Sequence, residues 1–196
     1  MARWAPDAQG RLVRAAMELY GERGFEQTTV VDIAERAGVT ERTFFRYFAD
    51  KREVLFDSSN ALQELIVAAV RAAPGSTTAL DAIRAGMTAG SSLLEERREF
   101  NRLRSAVIAA DMGLQERELF KMAALAAAAA ALRDRGVPQP QASLSAETGV
   151  AAFRIAFEQW IGDAQARPLA GAIDTTFDAL TLMADATHHP AAPLEV

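Results

Sequence analysis

The sequence predicts an all-α fold, with a three-helix head joined to a larger C-terminal helical bundle and about nine helices in all. Three observations predict it. Apolar residues recur at three- and four-residue steps along the 196-residue chain, which is the spacing of one helix face. No alternation of apolar and polar residues runs long enough to make a strand. Glycines, prolines and threonines stand where helices need stops and caps.

The first helix spans about residues 6–23, with Leu12, Ala15, Ala16, Leu19 and Tyr20 on one face. Gly24 ends it in a left-handed cap, and Phe25 packs back on the last turn. Thr29 caps a short helix over about 30–37, where Asp32 meets the positive end of the helix dipole. Gly38 supplies a turn, Thr40 caps a third helix ending near Phe48, and Asp50 caps a fourth. The fourth, over about 51–73, carries Leu55, Leu62, Leu65, Ile66, Ala69 and Ala73 until Pro74-Gly75 stops it. Further helices are expected over about 78–96, 99–111, 114–135, 142–164 and 168–186. Their breaks fall at Thr77-Thr78, Gly113, the stretch Arg135-Gly136-Val137-Pro138-Gln139-Pro140, and Pro168. The expected domains are 1–50 as head, 51–187 as bundle and 188–196 as a flexible tail.

Composition narrows the function classes. The chain contains no cysteine, which excludes a disulfide framework, a thiolate metal site and a cysteine nucleophile. The N-terminal residues lack the apolar core of a signal peptide. The alanine-rich apolar run from Ala123 to Leu132 falls short of the ~20 residues that a membrane span needs. A cytoplasmic protein with no membrane partner is expected. The net charge of −5 is unevenly spread: residues 1–56 hold nine Lys/Arg and nine Asp/Glu, and the rest hold twelve against seventeen. A neutral head with grouped arginines can meet phosphates that an acidic body avoids.

The informative stretch runs from Thr28 to Lys51. Short helix, glycine turn, short helix is helix-turn-helix spacing. A recognition helix offers polar groups to the major groove and holds its other face in a small apolar core. Val39, Phe44 and Phe48 suit that core. Thr28, Thr29, Thr40, Glu41, Arg42, Thr43, Phe45, Arg46, Tyr47 and Lys51 are the candidate DNA contacts. Tyr47 shares a face with Thr43 and reaches toward a backbone phosphate, while Lys51 adds a cation beside free N–H groups. Some have a second reading. Arg42 and Arg46 are by type surface residues, Phe45 suits either core or groove wall, and Glu41 answers either a cytosine amine or the helix dipole.

These residues resemble the TetR (tetracycline-repressor-like) family of regulators. The resemblance covers about residues 11–55 through Gly24-Phe25, Thr28-Thr29, Ile33-Ala34, Ala37-Gly38-Val39, the run Thr43-Phe44-Phe45-Arg46-Tyr47-Phe48, and Lys51 with Leu55. Phe45 stands where tyrosine is common in the family, so a hydroxyl able to bind phosphate is missing. Beyond residue 56 the resemblance implies architecture only: a helical body with a ligand cavity, dimerising through its last two long helices. It also implies repression relieved by ligand, with the fourth helix linking head to body.

The bundle supports a homodimer, because its last helices are apolar on more than one side. Ala152, Ile155, Gln159, Phe177, Leu180 and Ala184 are the candidate interface residues. Met87, Leu94, Phe100, Leu103, Val107, Phe120, Phe153, Phe157 and Trp160 are candidates for an apolar pocket, although such residues are also ordinary core. A largely apolar lining suits a hydrophobic or acyl-bearing effector. Arg102 and Arg104 pair either with an anionic ligand group or with neighbouring Glu95, Glu96 and Glu99. The expected partners are therefore a double-stranded DNA operator, a second copy of the chain and a small-molecule effector, with no cofactor and no metal.

An enzyme is disfavoured. No H-E-x-x-H, Walker loop, G-x-S-x-G or dinucleotide fingerprint occurs, and His188 and His189 are the two histidines. A helical sensor or dimerisation protein without DNA binding remains as the alternative.

Overall fold

The computed structural model describes residues 7–57, 59–165 and 167–186. The expected tail over 188–196, with His188 and His189, lies outside the described residues. Among those described, the chain forms α1 (Ala8–Arg23), α2 (Val30–Ala37), α3 (Glu41–Tyr47), α4 (Ser59–Ala72), α5 (Ala79–Glu95), α6 (Arg98–Ala109), α7 (Met112–Ala124), α8 (Ala128–Asp134), α9 (Gln141–Gly162) and α10 (Leu169–Ala186). Two 3-10 segments, Glu53–Phe56 and Leu125–Ala127, complete the set. The all-α expectation holds. Contacts divide the chain into two compact units, Met1–Asn60 with Arg97–Lys121, and Ala61–Glu96 with Met122–Val196.

The first unit is the head. The Asp7 carboxylate accepts the Gly10 N–H at 2.8 Å to start α1, and Gly24 ends it with a φ of 87°, which glycine adopts without a Cβ clash. Leu12, Ala16, Leu19 and Tyr20 form the buried stripe of α1, as their spacing predicts. They pack in one cluster with Ile33, Phe44, Phe48, Leu55 and Phe56. The head also takes in α6 and the start of α7, because Val107, Ile108 and Leu114 complete the same core. Each such large apolar side chain contributes roughly 1.5–3 kcal/mol by leaving water.

Polar ties fix that addition. Arg104 Nε donates to the Leu55 carbonyl at 2.6 Å, and its Nη1 donates to Glu118 at 3.1 Å. Arg117 Nε donates to Glu53 at 3.0 Å. Arg102 lies 3.6 Å from Glu99, one of the expected neighbours, whereas Arg104 is engaged by Glu118, which was not among them.

The expected helix over 51–73 begins later than its spacing suggests. Asp50 does cap, accepting the N–H groups of Arg52 at 2.8 Å and Glu53 at 3.1 Å. The turn that follows is 3-10. Val54, Leu55 and Phe56 are all buried in that turn. Helix α4 starts only at Ser59.

The second unit is the body, formed by α5, α8, α9, α10 and the greater part of α4. Ile66, Val70, Ile83, Met87, Leu132, Phe153, Trp160, Ile173 and Phe177 share its core. Small residues let the helices approach. A Cβ on Gly149 of α9 would fall 2.2 Å from Ile83 Cγ2 of α5. Arg84 on α5 bonds Asp174 at 2.8 Å and Asp178 at 2.7 Å on α10. The expected helix over 114–135 is divided by the segment Leu125–Ala127. Alanine's helix propensity favours continuity there, and nothing in the structure explains the break.

Candidate nucleic-acid interface

Local rules build the α2–α3 unit. The Thr29 hydroxyl accepts the Asp32 N–H at 3.2 Å, and the Asp32 carboxylate accepts the Thr29 N–H at 2.8 Å. This reciprocal arrangement is a capping box with aspartate in the third position. Hydrogen bonds from the Thr29 hydroxyl and N–H, with Arg23 3.0 Å away, hold the Asp32 carboxyl below its ordinary range. Gly38, left-handed at φ 67°, turns the chain, and the Val39 N–H closes on Ala34 O at 2.9 Å. Thr40 then caps α3 by accepting the Thr43 N–H at 3.2 Å.

Helix α3 is two-sided. Phe44 and Phe48 are buried, with ring centres 5.6 Å apart, and they seat the helix in the head core. Thr40, Glu41, Arg42, Phe45, Arg46 and Tyr47 are exposed, while Thr43 is half-buried. The guanidinium of Arg46 lies 4.8 Å over the Tyr47 ring and donates to its hydroxyl at 3.1 Å. Among the described residues Arg42 has no hydrogen-bonding or ionic partner, so its charge faces solvent uncompensated. By contrast, Arg36 is held by Glu22 at 2.9 Å and by Glu18 at 3.4 Å. Phe45 suits either core or groove wall by type; at 55% exposure it is not core.

Two candidate contacts do other work. Thr28 is fully buried, and its hydroxyl donates to the Gly24 carbonyl at 2.8 Å. Lys51 Nζ donates to the carbonyls of Phe25 at 2.9 Å, Thr28 at 3.0 Å and Glu26 at 3.3 Å. Its ammonium is thus satisfied inside the α1–α2 turn rather than presented beside free N–H groups. Tyr20, read only as a core residue, belongs to the same arrangement: its hydroxyl donates to the Lys51 carbonyl at 2.6 Å. Burial, with the Asp50 charge adding to it, raises the Tyr20 phenol well above its usual range. The signal available in sequence was a tyrosine on a core stripe, since a buried hydroxyl needs a partner.

Charge separates more sharply by unit than by chain half. The head unit holds fifteen Lys/Arg against fourteen Asp/Glu, and the body unit six against twelve. The whole acidic surplus lies in the body.

The pocket candidates fall into both units. Met87, Phe153 and Trp160 are buried in the body core, with Leu94 and Phe157 packed on it. Val107 is buried in the head core and Phe100 packs against it. Leu103 and Val107 line a head cleft of about 400 Å³ with Tyr20, Gly21, Phe25 and Asp111. Phe120 is 67% exposed and lines no core. Of the interface candidates, Ala152 and Phe177 are buried in the chain's own core, whereas Ile155, Gln159 and Ala184 are exposed and Leu180 is half-buried. Among the described residues no cluster of metal-ligating side chains occurs, and no helix is long and apolar enough to cross a membrane.

A capped two-sided α3, reached from α2 through a glycine turn and seated on an all-helical framework, defines a helix-turn-helix protein. Residues 12–57 match the family described as bacterial regulatory proteins, tetR family. It is 42% identical over 73 residues to the HTH-type transcriptional regulator TcmR of Streptomyces glaucescens, covering 37% of this chain and 32% of that one. The curated relatives are thus matched over about a third of their length or less. The fold extends further. Thermus thermophilus FadR, a repressor solved with lauroyl-CoA, superposes with a TM-score of 0.56 at 23% identity over 96% of this chain and 99% of that one. Bacillus subtilis FadR, solved with stearoyl-CoA, gives 0.61 at 17% identity over 87% and 96%. At these identities the likeness is one of fold.

Proposed function

We propose that the chain is a transcriptional regulator that binds a palindromic operator as a homodimer and is released by a small molecule. The carrying observation is α3 itself, with Phe44 and Phe48 inward and Arg42, Thr43, Phe45, Arg46 and Tyr47 outward or at the surface. Thr40, Glu41, Arg42, Thr43, Phe45 and Arg46 face the bases, and Tyr47 faces the backbone. Thr29, exposed at the start of α2, contacts a phosphate. Two copies set about 34–36 Å apart would reach successive major grooves. Ile155, Gln159, Leu180 and Ala184, with exposed Leu182 and Met183, form the surface through which the copies pair.

The effector is a hydrophobic or acyl-bearing molecule, a reading supported by the acyl-CoA ligands of the two fold neighbours and by the aromatic series Phe153, Phe157 and Trp160 in the body. Release requires that it bind the free conformation better than the operator-bound one, with a typical coupling of about 1–3 kcal/mol. Equal affinity of lauroyl-CoA for free and operator-bound protein would count against that effector class.

The test of DNA binding is a mobility shift on the gene's own upstream DNA with the parent and with Thr43→Ala, Arg46→Ala and Tyr47→Ala. Each change weakens the complex on this account. Unchanged binding in all three removes α3 from the interface.

A further inference from the structure

We propose that Phe45 sets part of the operator sequence by packing on the 5-methyl group of a thymine in the major groove. The proposal rests on the DNA-binding reading and adds a base preference to it. Phe45 is the most exposed aromatic residue of the head's first three helices, at 55%, and stands on the outward face of α3. It follows Arg42 by three residues and Glu41 by four, so the three share one face. Arg42, without an ionic partner among the described residues, draws that face toward DNA.

A phenyl ring has no group with which to bind a phosphate or the polar edge of a base. The one apolar feature on the major-groove edges is the thymine methyl. The ring is also braced: Phe44, fully buried, meets it edge-on with centroids 5.5 Å apart and planes at 83°. A side chain already held in place loses little freedom on contact, which favours its use for discrimination.

The test separates the methyl from everything else in the base. Operator duplexes are selected from a random pool with the full chain, and each thymine is replaced singly by deoxyuridine, which lacks only the methyl. The expected result is one position per half-site at which the parent loses about fourfold in affinity, the worth of one buried methyl-sized group. Phe45→Ala binds thymine and uracil duplexes alike at that position, and Phe45→Leu keeps part of the difference. If the parent binds its operator but is insensitive to uracil everywhere, the proposal is overturned and the DNA-binding reading stands. It is also overturned if Phe45→Ala keeps the parent's uracil sensitivity, because another side chain then touches the methyl. Failure to select any duplex removes both.

Discussion

The ammonium of Lys51 lies 2.9 Å from the carbonyl oxygen of Phe25 and 4.3 Å from the centre of its ring. One cation thereby holds both the backbone and the aromatic side chain of the α1–α2 turn. Lys51→Met should therefore lower the stability of the head by about 1–3 kcal/mol, because it leaves carbonyls without their donor. Chemical denaturation read against operator affinity distinguishes the roles. On this account the loss of affinity follows the loss of folded protein and leaves the salt dependence of binding unchanged. A phosphate-binding lysine would instead reduce the salt slope by about 1.

Thr29→Ala should cost about 1 kcal/mol of stability through the lost cap. The partner carboxyl supplies a second readout. The pKa of Asp32 is lowered in the folded state from 3.8, so its stabilising contribution is present above 3.8 and is lost as pH falls through the lower folded value. Removing the Thr29 hydroxyl should move the Asp32 titration upward, and carboxyl chemical shifts through an acid titration measure it directly.

Gly149→Ala should destabilise the body by about 1–3 kcal/mol. The added methyl meets Ile83, which is fully buried and cannot swing into solvent. Urea unfolding of the two proteins gives the difference, and a neutral result would mean that α5 and α9 separate at little cost.

Ile155→Asp with Leu182→Asp should weaken self-association roughly thirtyfold or more, the scale of losing an interface anchor. Both positions are exposed in the single chain, at 41% and 70%, so folding is spared. Sedimentation equilibrium with circular dichroism as a folding control measures it. A double variant that associates as the parent does would remove these residues from the pairing surface.

What was legible in the sequence depended on how local its cause was. Thr29 and Thr40 cap, and Gly24 and Gly38 turn the chain, because each choice is decided within four residues. The inward Phe44 and Phe48 followed from helical periodicity alone. Thr28 and Lys51 looked like DNA contacts because both are polar and close to α3. Their true partners, Gly24 O and the Phe25, Glu26 and Thr28 carbonyls, become neighbours only when α1, α2 and the turn are assembled. The same holds for Phe177 and Ala152: periodicity showed that their helices carry apolar residues on several sides, but not which side the chain itself covers. The 3-10 turn at Val54, Leu55 and Phe56 was hidden because α4 continues a helical pattern that includes Leu55.

On the proposed function, the outward face of α3 distinguishes one DNA sequence from another. The most direct test is an anisotropy titration of the selected operator and a scrambled duplex, using the parent and the Thr43→Ala, Arg46→Ala, Tyr47→Ala triple variant at one fixed salt concentration. The parent should prefer the operator by about 10³ or more, and the folded triple variant should bind both duplexes nearly alike. A triple variant that keeps the parent's preference would place sequence recognition elsewhere in the molecule.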